Sequence, residues 1–200
     1  MLSRRDLFHI LPAGAAACLG CTAASMCAAQ TALQTASAPR SDGFAEKADM
    51  TWQQVFDFSY KGYARLMKKL AARVGHDEFL AILQKASTEN TLERMESLLQ
   101  SAPARDLRVF EAWMKTQPIY GNALVYDVLE ETDTAFEIHV SQCLWAKTFR
   151  AQNAADIGYA SICYPDYAST TAFNPKIKLL RTKTLMQGDD CCNHRWVMET

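Results

Sequence analysis

The sequence has little glycine or proline, no long apolar run and almost no net charge. Its 200 residues include 8 glycines and 6 prolines, too few for a collagen-like or disordered chain. No apolar run reaches the roughly 18–20 residues that a membrane-spanning helix needs. The formal net charge of -1 argues against nucleic acid as the main partner, because phosphate binding needs a concentrated basic surface. Composition therefore predicts one globular domain, and local motifs must indicate its chemistry.

The N-terminal segment has the features of an export signal. Arg4 and Arg5 precede a short apolar stretch rich in alanine and glycine, residues 10–20. Paired arginines followed by a mildly apolar stretch and small residues are typical of twin-arginine signals. The alternative, a helix of the folded domain, is disfavoured by Pro12 in the middle of the stretch. We expect the twin-arginine export machinery to be a partner of this chain.

Two processing sites compete at the end of this segment. Cys18 and Cys21 enclose Leu-Gly in a pattern that resembles a lipobox, which would leave Cys21 lipidated at the new N-terminus. Cys27 is followed by two alanines, which would suit ordinary cleavage before Gln30. We therefore expect a protein that is either periplasmic or anchored by lipid at the cell envelope.

Composition divides the chain into three parts. Residues 1–29 form the expected signal segment. Residues 30–49 are rich in alanine, serine, threonine and glutamine without an apolar period, which is typical of a flexible linker. The folded domain is expected over residues 50–200.

The first half of that domain has the apolar spacing of helices. Thr51 and Gln54 form a capping box, and the helix that they begin is expected to end at Gly75. A second helical region starts at Asp77 and resumes from Thr91, and a third runs over residues 104–117. The aromatic side chains of these helices could form a ligand cage, but their single stripe favours core packing.

In the second half of the domain, apolar and polar residues alternate, as is typical of strands. Strands are expected over residues 123–130 and 135–142, and over 176–187 and 191–198 on either side of a Gly-Asp-Asp turn. Between these pairs, a helix is expected over residues 145–163, interrupted near Asn153 or Gly158. Alternation places Val140 on one face of its strand and Cys143 on the other. The prediction is a single α+β domain, with N-terminal helices packed on an antiparallel sheet of about four strands.

Four cysteines follow the leader, and three interpretations of them stay open. Export to an oxidising compartment favours disulfides, although adjacent Cys191 and Cys192 cannot both face one side of a strand. Zinc could bind Cys163, Cys192 and His194, but no CxxC pair occurs in this region. A nucleophilic cysteine beside a histidine is the third interpretation, since Cys192 and His194 share a strand face about 7 Å apart. Cys143 is the fourth cysteine.

Charged residues near these cysteines suit the recognition of a small polar molecule. Arg181 and Arg195 on the last two strands could clamp a carboxylate, because a guanidinium binds one through two parallel hydrogen bonds. Asp166 and Asp190 could carry a proton or orient a water molecule. A solvated hairpin with exposed ion pairs is the alternative, and Lys183 fits it best.

The C-terminal sequence resembles a known family. The runs Phe-Asn-Pro-Lys-Ile, residues 173–177, and Arg-Thr-Lys-Thr-Leu-Met-Gln-Gly-Asp-Asp-Cys-Cys-Asn-His-Arg, residues 181–195, are similar to the signature of the L-2-amino-thiazoline-4-carboxylic acid hydrolase family. Cys143 and the Cys163-x-x-Asp166 motif fall at that family's other marked positions. The resemblance covers residues 107–200. The Gly-x-x-Cys-Cys-x-His ending is also similar, more loosely, to small-molecule-binding domains of the 4-vinyl-reductase type.

This resemblance implies a hydrolase that opens a small cyclic amidine or thiazoline carboxylate to an N-carbamoyl product. It implies catalytic roles for Cys163, Asp166, Asp190, Cys192 and His194. It implies substrate-binding roles for Cys143, Arg181, Thr184 and Arg195. The reaction requires no cofactor, and the zinc site on Cys163, Cys192 and His194 stays as an alternative. The looser likeness implies the alternative function, a non-enzymatic binding or sensor domain exported from the cytoplasm.

The site residues are concentrated in two short segments. We expect the Cys163–Asp166 segment and the C-terminal hairpin to meet in one cleft, between the sheet and the helix over residues 145–163. A third alternative is an interaction module that disulfides hold together. It predicts that the native protein has no free thiol.

Overall fold

A computed structural model describes residues 50–101, 104–117 and 120–199. The expected signal segment and linker, residues 1–49, lie outside the described residues, so the two processing sites stay predictions. Among the described helices, none is both long and apolar enough to cross a membrane. Residues 50–199 belong to one compact unit.

The described residues form helices that precede and interrupt one antiparallel sheet. The helices are α1 (Trp52–Val74), α2 (His76–Ser101), α3 (Leu107–Thr116), α4 (Tyr120–Ala123), α5 (Leu144–Ala151), α6 (Ala155–Gly158) and α7 (Pro165–Phe173). A π-helical turn, Tyr159–Cys163, joins α6 to α7. The strands are β1 (Leu124–Glu131), β2 (Ala135–Cys143), β3 (Ile177–Leu180) and β4 (Cys192–Met198), in the order β1-β2-β4-β3. The predicted α+β class with four antiparallel strands is confirmed.

Local signals predict α1 correctly and α2 only in part. The Gln54 amide donates to Thr51 Oγ1 at 3.2 Å, and the Thr51 amide donates to Gln54 Oε1 at 2.7 Å, which completes the capping box. Gly75 ends α1 with a φ of 112°, a conformation that side chains disfavour. The second helix is continuous, so the predicted interruption before Thr91 is wrong.

The last hairpin differs most from its prediction. β3 ends at Leu180, whereas the sequence predicts a strand as far as residue 187. Beyond Leu180, the Asn193 side chain accepts hydrogen bonds from the amides of Thr182 and Lys183, at 3.0 and 2.7 Å. These bonds take the place of strand pairing, so residues 181–191 form a long loop rather than a tight turn.

A register shift in the sheet changes the direction of Cys143. The pairing of β1 with β2 shifts between Val125 and Tyr126, where Ser141 is an extra residue on β2. Such a bulge interrupts the alternation of a strand. Cys143 therefore returns to the same face as Val140, and the prediction that it faces away is wrong.

Two apolar clusters form the interior. One lies between the sheet and helices α3 and α7; its largest buried side chains include Phe110, Phe173, Ile177 and Trp196. The other lies between α1, α2, α5 and α6, and includes Ala64, Phe79, Phe149, Ile157 and Met186. Cys143, at the end of β2, packs against both clusters.

The close packing at Gly158 makes a stability prediction. A Cβ atom at Gly158 would lie 2.7 Å from Phe149 Cγ and 2.6 Å from Met186 Sδ, whereas one at Gly62 on α1 would meet nothing within 4 Å. We expect Gly158→Ala to lower the free energy of unfolding by about 1–3 kcal/mol, because overpacking shifts buried side chains. Gly62→Ala should raise it by about 0.5–1 kcal/mol, because alanine favours the helix. Urea denaturation of both variants checks this; a loss of stability in Gly62→Ala, or none in Gly158→Ala, would contradict it.

Candidate functional site

A cavity of about 920 Å³ lies between the helices and the sheet. Its lining comes from helices α1 to α5 and α7, strands β1, β2 and β4, and the π-helical turn, and includes side chains of both apolar clusters. The volume is near the upper end of the roughly 300–1,000 Å³ that small-molecule sites occupy. This cavity is the candidate site.

The walls of the cavity are largely aromatic and apolar. Tyr60 and Tyr63 of α1, Trp113 of α3 and Trp196 of β4 all line it. The sequence assigns the helical aromatic residues to core packing, whereas in the structure several of them enclose a space. One stripe of apolar side chains cannot distinguish these two cases, because a core and an apolar cavity need the same pattern.

A buried guanidinium organises the polar part of the site. The side chain of Arg181 is only 1% exposed. Its Nη1 donates to Asp166 Oδ2 at 2.7 Å, and its Nη2 donates to the carbonyl oxygen of Cys163 at 2.8 Å. The guanidinium also lies 4.9 Å from the ring centre of Tyr167, a favourable cation–π contact. Arg181 thus connects the loop after β3 to the π-helical turn and to α7.

The π-helical turn makes the Cys163 carbonyl available to Arg181. The Tyr164 amide donates to the carbonyl of Tyr159, five residues earlier, at 2.8 Å. The Tyr167 amide then donates to the Tyr164 carbonyl at 3.3 Å rather than to that of Cys163. The Cys163 carbonyl therefore accepts no backbone hydrogen bond of the helix and can accept one from the guanidinium.

The third contact of Arg181 sets the tautomer of His194. Nη1 of Arg181 lies 3.0 Å from His194 Nε2. A guanidinium only donates, so Nε2 accepts and the proton of the neutral imidazole is assigned to Nδ1. Nδ1 is buried and has no hydrogen-bond partner among the described residues. The ring stacks on Trp196 with centroids 5.5 Å apart. A buried donor without a protein partner, at a cavity wall, is typical of a group that binds water or a ligand.

Three thiols line the cavity, and all four described cysteines are free. Burial raises the pKa of Cys143 to about 11 and that of Cys163 well above its ordinary value. Burial also raises the pKa of Cys192, although the Leu185 amide donates to its Sγ at 3.2 Å and opposes the shift. These thiols are therefore protonated at neutral pH. The disulfides considered in the sequence analysis therefore do not form among the four described cysteines.

The described residues contain no group of three or more His, Cys, Asp or Glu side chains that could hold a metal ion. Cys163, Cys192 and His194 line one cavity but do not make the zinc site that the sequence leaves open.

Of the nine residues proposed from the sequence, five line the cavity: Cys143, Cys163, Asp166, Cys192 and His194. Arg181 lies behind this wall, bonded to Asp166 and facing His194. The other three do not line it. Thr184 is buried in the long loop, where its hydroxyl donates to Gln187 Oε1 at 2.9 Å. Asp190 pairs with Lys183 at 3.0 Å, and its side chain is 75% exposed.

Arg195 lies on the opposite face of β4 from Cys192 and His194. Its guanidinium pairs with Glu130 at 2.7 Å and with Glu137 at 3.1 Å. The expectation that Asp190 and Arg195 join the cleft is therefore wrong. Strand alternation alone separates Arg195 from His194, since neighbouring residues of a strand face opposite sides.

A polar stripe on α2 belongs to the cavity and is not among the site residues proposed from the sequence. It consists of Ser87, Asn90, Thr91 and Arg94, which line the cavity. Their spacing of three, four and seven residues places them on one helix face. The same stripe explains the wrongly predicted interruption of α2, because polar side chains stand where a core-facing helix would be apolar. A polar stripe within an otherwise helical segment is the signal that could have identified Arg94.

The raised thiol pKa values predict slow alkylation in the native state. At pH 8, iodoacetamide should modify Cys143 at least roughly 100-fold more slowly in the folded protein than in urea, because its pKa of about 11, against 9.0, leaves less of the reactive thiolate. The alkylation rate of Cys143 in the folded protein should rise with pH up to that pKa. Peptide mass spectrometry gives both rates, and equal rates would show that the thiol is neither buried nor protonated.

Comparisons with known proteins bear on this site. The sequence matches the family model of L-2-amino-thiazoline-4-carboxylic acid hydrolase over residues 56–196. No match is found among curated proteins. Among solved structures, the chain is similar to the phenol-responsive sensory domain of the transcription activator PoxR, solved with phenol, at 15% identity and a TM-score of 0.49, over 69% of this chain and 73% of that one. It is also similar to trafficking protein particle complex subunit 3 from Naegleria fowleri, covalently bound to palmitic acid, at 10% identity and a TM-score of 0.43, over 70% of this chain and 95% of that one.

The family match extends beyond the C-terminal signature. It begins within α1 and ends within β4, so it includes every element that lines the cavity. The predicted resemblance is confirmed: this chain belongs to the L-2-amino-thiazoline-4-carboxylic acid hydrolase family.

Proposed function

We propose that the protein is a hydrolase that opens a cyclic amidine carboxylate of the aminothiazoline type, giving a single N-carbamoyl amino acid that carries the freed thiol. Membership of the family supports this activity. The observation that carries the proposal is the arrangement around Arg181, which holds a carboxylate and an imidazole at the wall of one cavity.

The reaction consumes one water molecule. Its oxygen forms a bond to the amidine carbon, and the bond between that carbon and the ring sulfur breaks. One proton of the water ends on the ring nitrogen and the other on the departing sulfur. The site must therefore accept a proton from water and return it to sulfur, and it must orient the ring.

Asp166 fits the proton-transfer role. Oδ2 of Asp166 is held by Arg181, whereas Oδ1 accepts no hydrogen bond from the described residues. The side chain is 43% exposed and lines the cavity, so substrate and water can reach it. A carboxylate also pairs with the N–H groups of an amidine. In this proposal Asp166 takes a proton from the attacking water and then delivers it to sulfur.

His194 acts as a hydrogen-bond donor rather than as a base. Its Nε2 faces the Arg181 guanidinium, so only the Nδ1–H group is left for a substrate. A neutral imidazole in this tautomer can donate to the oxygen that forms on the amidine carbon.

Water, rather than a thiol, is the nucleophile of this mechanism. Cys192 is the thiol for which the sequence suggests a nucleophilic role, but burial raises its pKa and keeps it protonated. No described contact links it to a base; its Sγ accepts a hydrogen bond from the Leu185 amide. Cys192 and Cys163 then shape the wall beside the reacting ring.

Arg94 is the proposed anchor for the substrate carboxylate. Of the described cavity-lining residues, it is the only lysine or arginine. Arg181 is covered by Asp166 and buried, and Arg195 faces away. Asn90 and Thr91, one turn earlier on α2, line the cavity beside Arg94 and add donors for the same carboxylate.

The roles of Asp166 and Cys192 can be separated by mutation. We expect Asp166→Asn to lower kcat by roughly 100-fold or more, which is typical of a lost proton-transfer group. Cys192→Ser should retain most of the activity. The substrate is L-2-amino-thiazoline-4-carboxylate, and release of its thiol is followed with a colorimetric reagent.

Asp190→Asn is the matched control, because it removes an exposed carboxylate by the same substitution. It should leave kcat unchanged. Loss of activity in Cys192→Ser together with retention in Asp166→Asn would contradict the water mechanism and favour a covalent one.

The proposed role of Arg94 as the carboxylate anchor leads to a separate prediction. Arg94→Gln should raise KM by about 10–100-fold with a smaller effect on kcat, because a hydrogen bond to a charged group contributes about 1.5–3 kcal/mol. Lys85→Gln is the control, since Lys85 is exposed on the same helix and does not line the cavity. Steady-state kinetics with the same substrate checks both variants. An unchanged KM in Arg94→Gln would place the carboxylate elsewhere.

A second candidate function is non-enzymatic binding of a small molecule. The large apolar cavity and its protonated thiols favour it, because neither feature requires chemistry. Calorimetric binding of the thiazoline carboxylate without any release of thiol would support binding alone.

A further inference from the structure

The cavity is larger than an aminothiazoline carboxylate requires. That molecule consists of one five-membered ring with an amino group and a carboxylate. A volume of about 920 Å³ is that of a site for a drug-sized ligand. The bare ring would leave most of the cavity filled with water against apolar walls, which is unfavourable.

The excess volume has an apolar and aromatic lining. Trp113 and Met114 of α3, Leu124 at the start of β1, and Ile138 of β2 all line the cavity. Trp113 packs against Phe110, with ring centroids 5.8 Å apart. Walls of this kind bind aromatic and branched apolar groups, which gain from both burial and ring contacts.

Tyr120 connects this apolar part to the proposed reaction centre. Its hydroxyl donates to Met114 Sδ at 3.4 Å. Tyr120 and Asp166 line the same cavity, and the charge of Asp166 adds to burial in raising the pKa of Tyr120. A substrate held at Asp166 would therefore have the apolar wall of α3 beside it.

We propose that the substrate is a cyclic amidine carboxylate that bears an aromatic or branched apolar substituent, which lies against Trp113, Met114 and Leu124. This inference rests on the proposed hydrolase function and specifies its substrate class. The α2 polar stripe and Asp166 hold the polar end of such a molecule, and the apolar wall holds its substituent.

Three related compounds test the substrate class with the full-length protein. They are 2-amino-thiazoline-4-carboxylate, its 5-phenyl derivative, and a 5-(4-carboxyphenyl) derivative of similar size with an added charge. We expect kcat/KM for the phenyl derivative to exceed that of the unsubstituted ring by about tenfold or more, as one well-buried apolar group gives. The carboxyphenyl derivative should lose this gain, because its charge would be buried against apolar side chains.

A pair of matched variants tests the location. Leu124→Trp adds volume at the cavity wall, whereas Leu129→Trp makes the same change on the same strand at an exposed position that does not line the cavity. Leu124→Trp should lower kcat/KM for the phenyl derivative by a larger factor than for the unsubstituted ring, and circular dichroism shows whether the variant folds. Leu129→Trp should leave both rates unchanged. If Leu124→Trp does not fold, the three compounds on the unaltered protein decide the substrate class.

The outcomes separate the inference from the proposed function. Turnover of the unsubstituted ring equal to or better than that of the phenyl derivative would overturn the inference while the hydrolase function stands. If Leu124→Trp and Leu129→Trp both retain the preference for the phenyl derivative, the assigned location of the substituent is overturned. If none of the three compounds releases a thiol, the hydrolase function is overturned. In that case, tighter calorimetric binding of the phenyl derivative than of the unsubstituted ring would still support the proposed ligand class. Equal or absent binding would overturn that ligand class as well.

Discussion

The buried guanidinium of Arg181 joins the helices to the sheet at the point where the site lies. It donates to the end of the π-helical turn at Cys163 and to Asp166 of α7, and it faces His194 of β4. Burial is the largest influence on the pKa of Arg181 and by itself would lower it, but the charge and hydrogen bond of Asp166 act together with Cys163 and Tyr167 to raise the pKa overall. The group therefore stays charged, and removing it would leave a carbonyl and a carboxylate without their donor.

The groups near Arg181 differ in their chemistry, for two physical reasons. Asp166 lies against a cation and remains partly exposed, which suits a carboxylate that exchanges protons with water. The thiols of Cys143 and Cys163 lie against apolar walls, where burial favours their neutral forms. His194 is limited to a donor role by the nitrogen that faces Arg181. Arg181 thus sets the parts of Asp166 and His194 in the proposed reaction, whereas burial sets those of the thiols.

Most of the helices and the two hairpin pairings, β1 with β2 and β3 with β4, follow from local patterns, and so does part of the site. The capping box at Thr51 and the position of Cys192 and His194 on one strand face are short-range features, so the sequence predicts them. The polar stripe that ends in Arg94 has the pattern of a break in a helix as well as that of a helix facing a polar cavity, and the fold distinguishes the two. Asp190 and Arg195 have suitable chemistry and match the family signature, but neither property places their side chains at the cavity.

The α+β class, the family and most of the elements follow from residue spacing over a few turns or strands, although helices α4 and α7 do not. Which side chains meet depends on contacts that form only in the folded domain. An extra residue at Ser141 turns Cys143 towards the cavity, and the long loop after β3 carries Asp190 into solvent. The contacts of Arg181 join segments that are distant in sequence, and the free energy of such contacts depends on the packing of the whole domain around them.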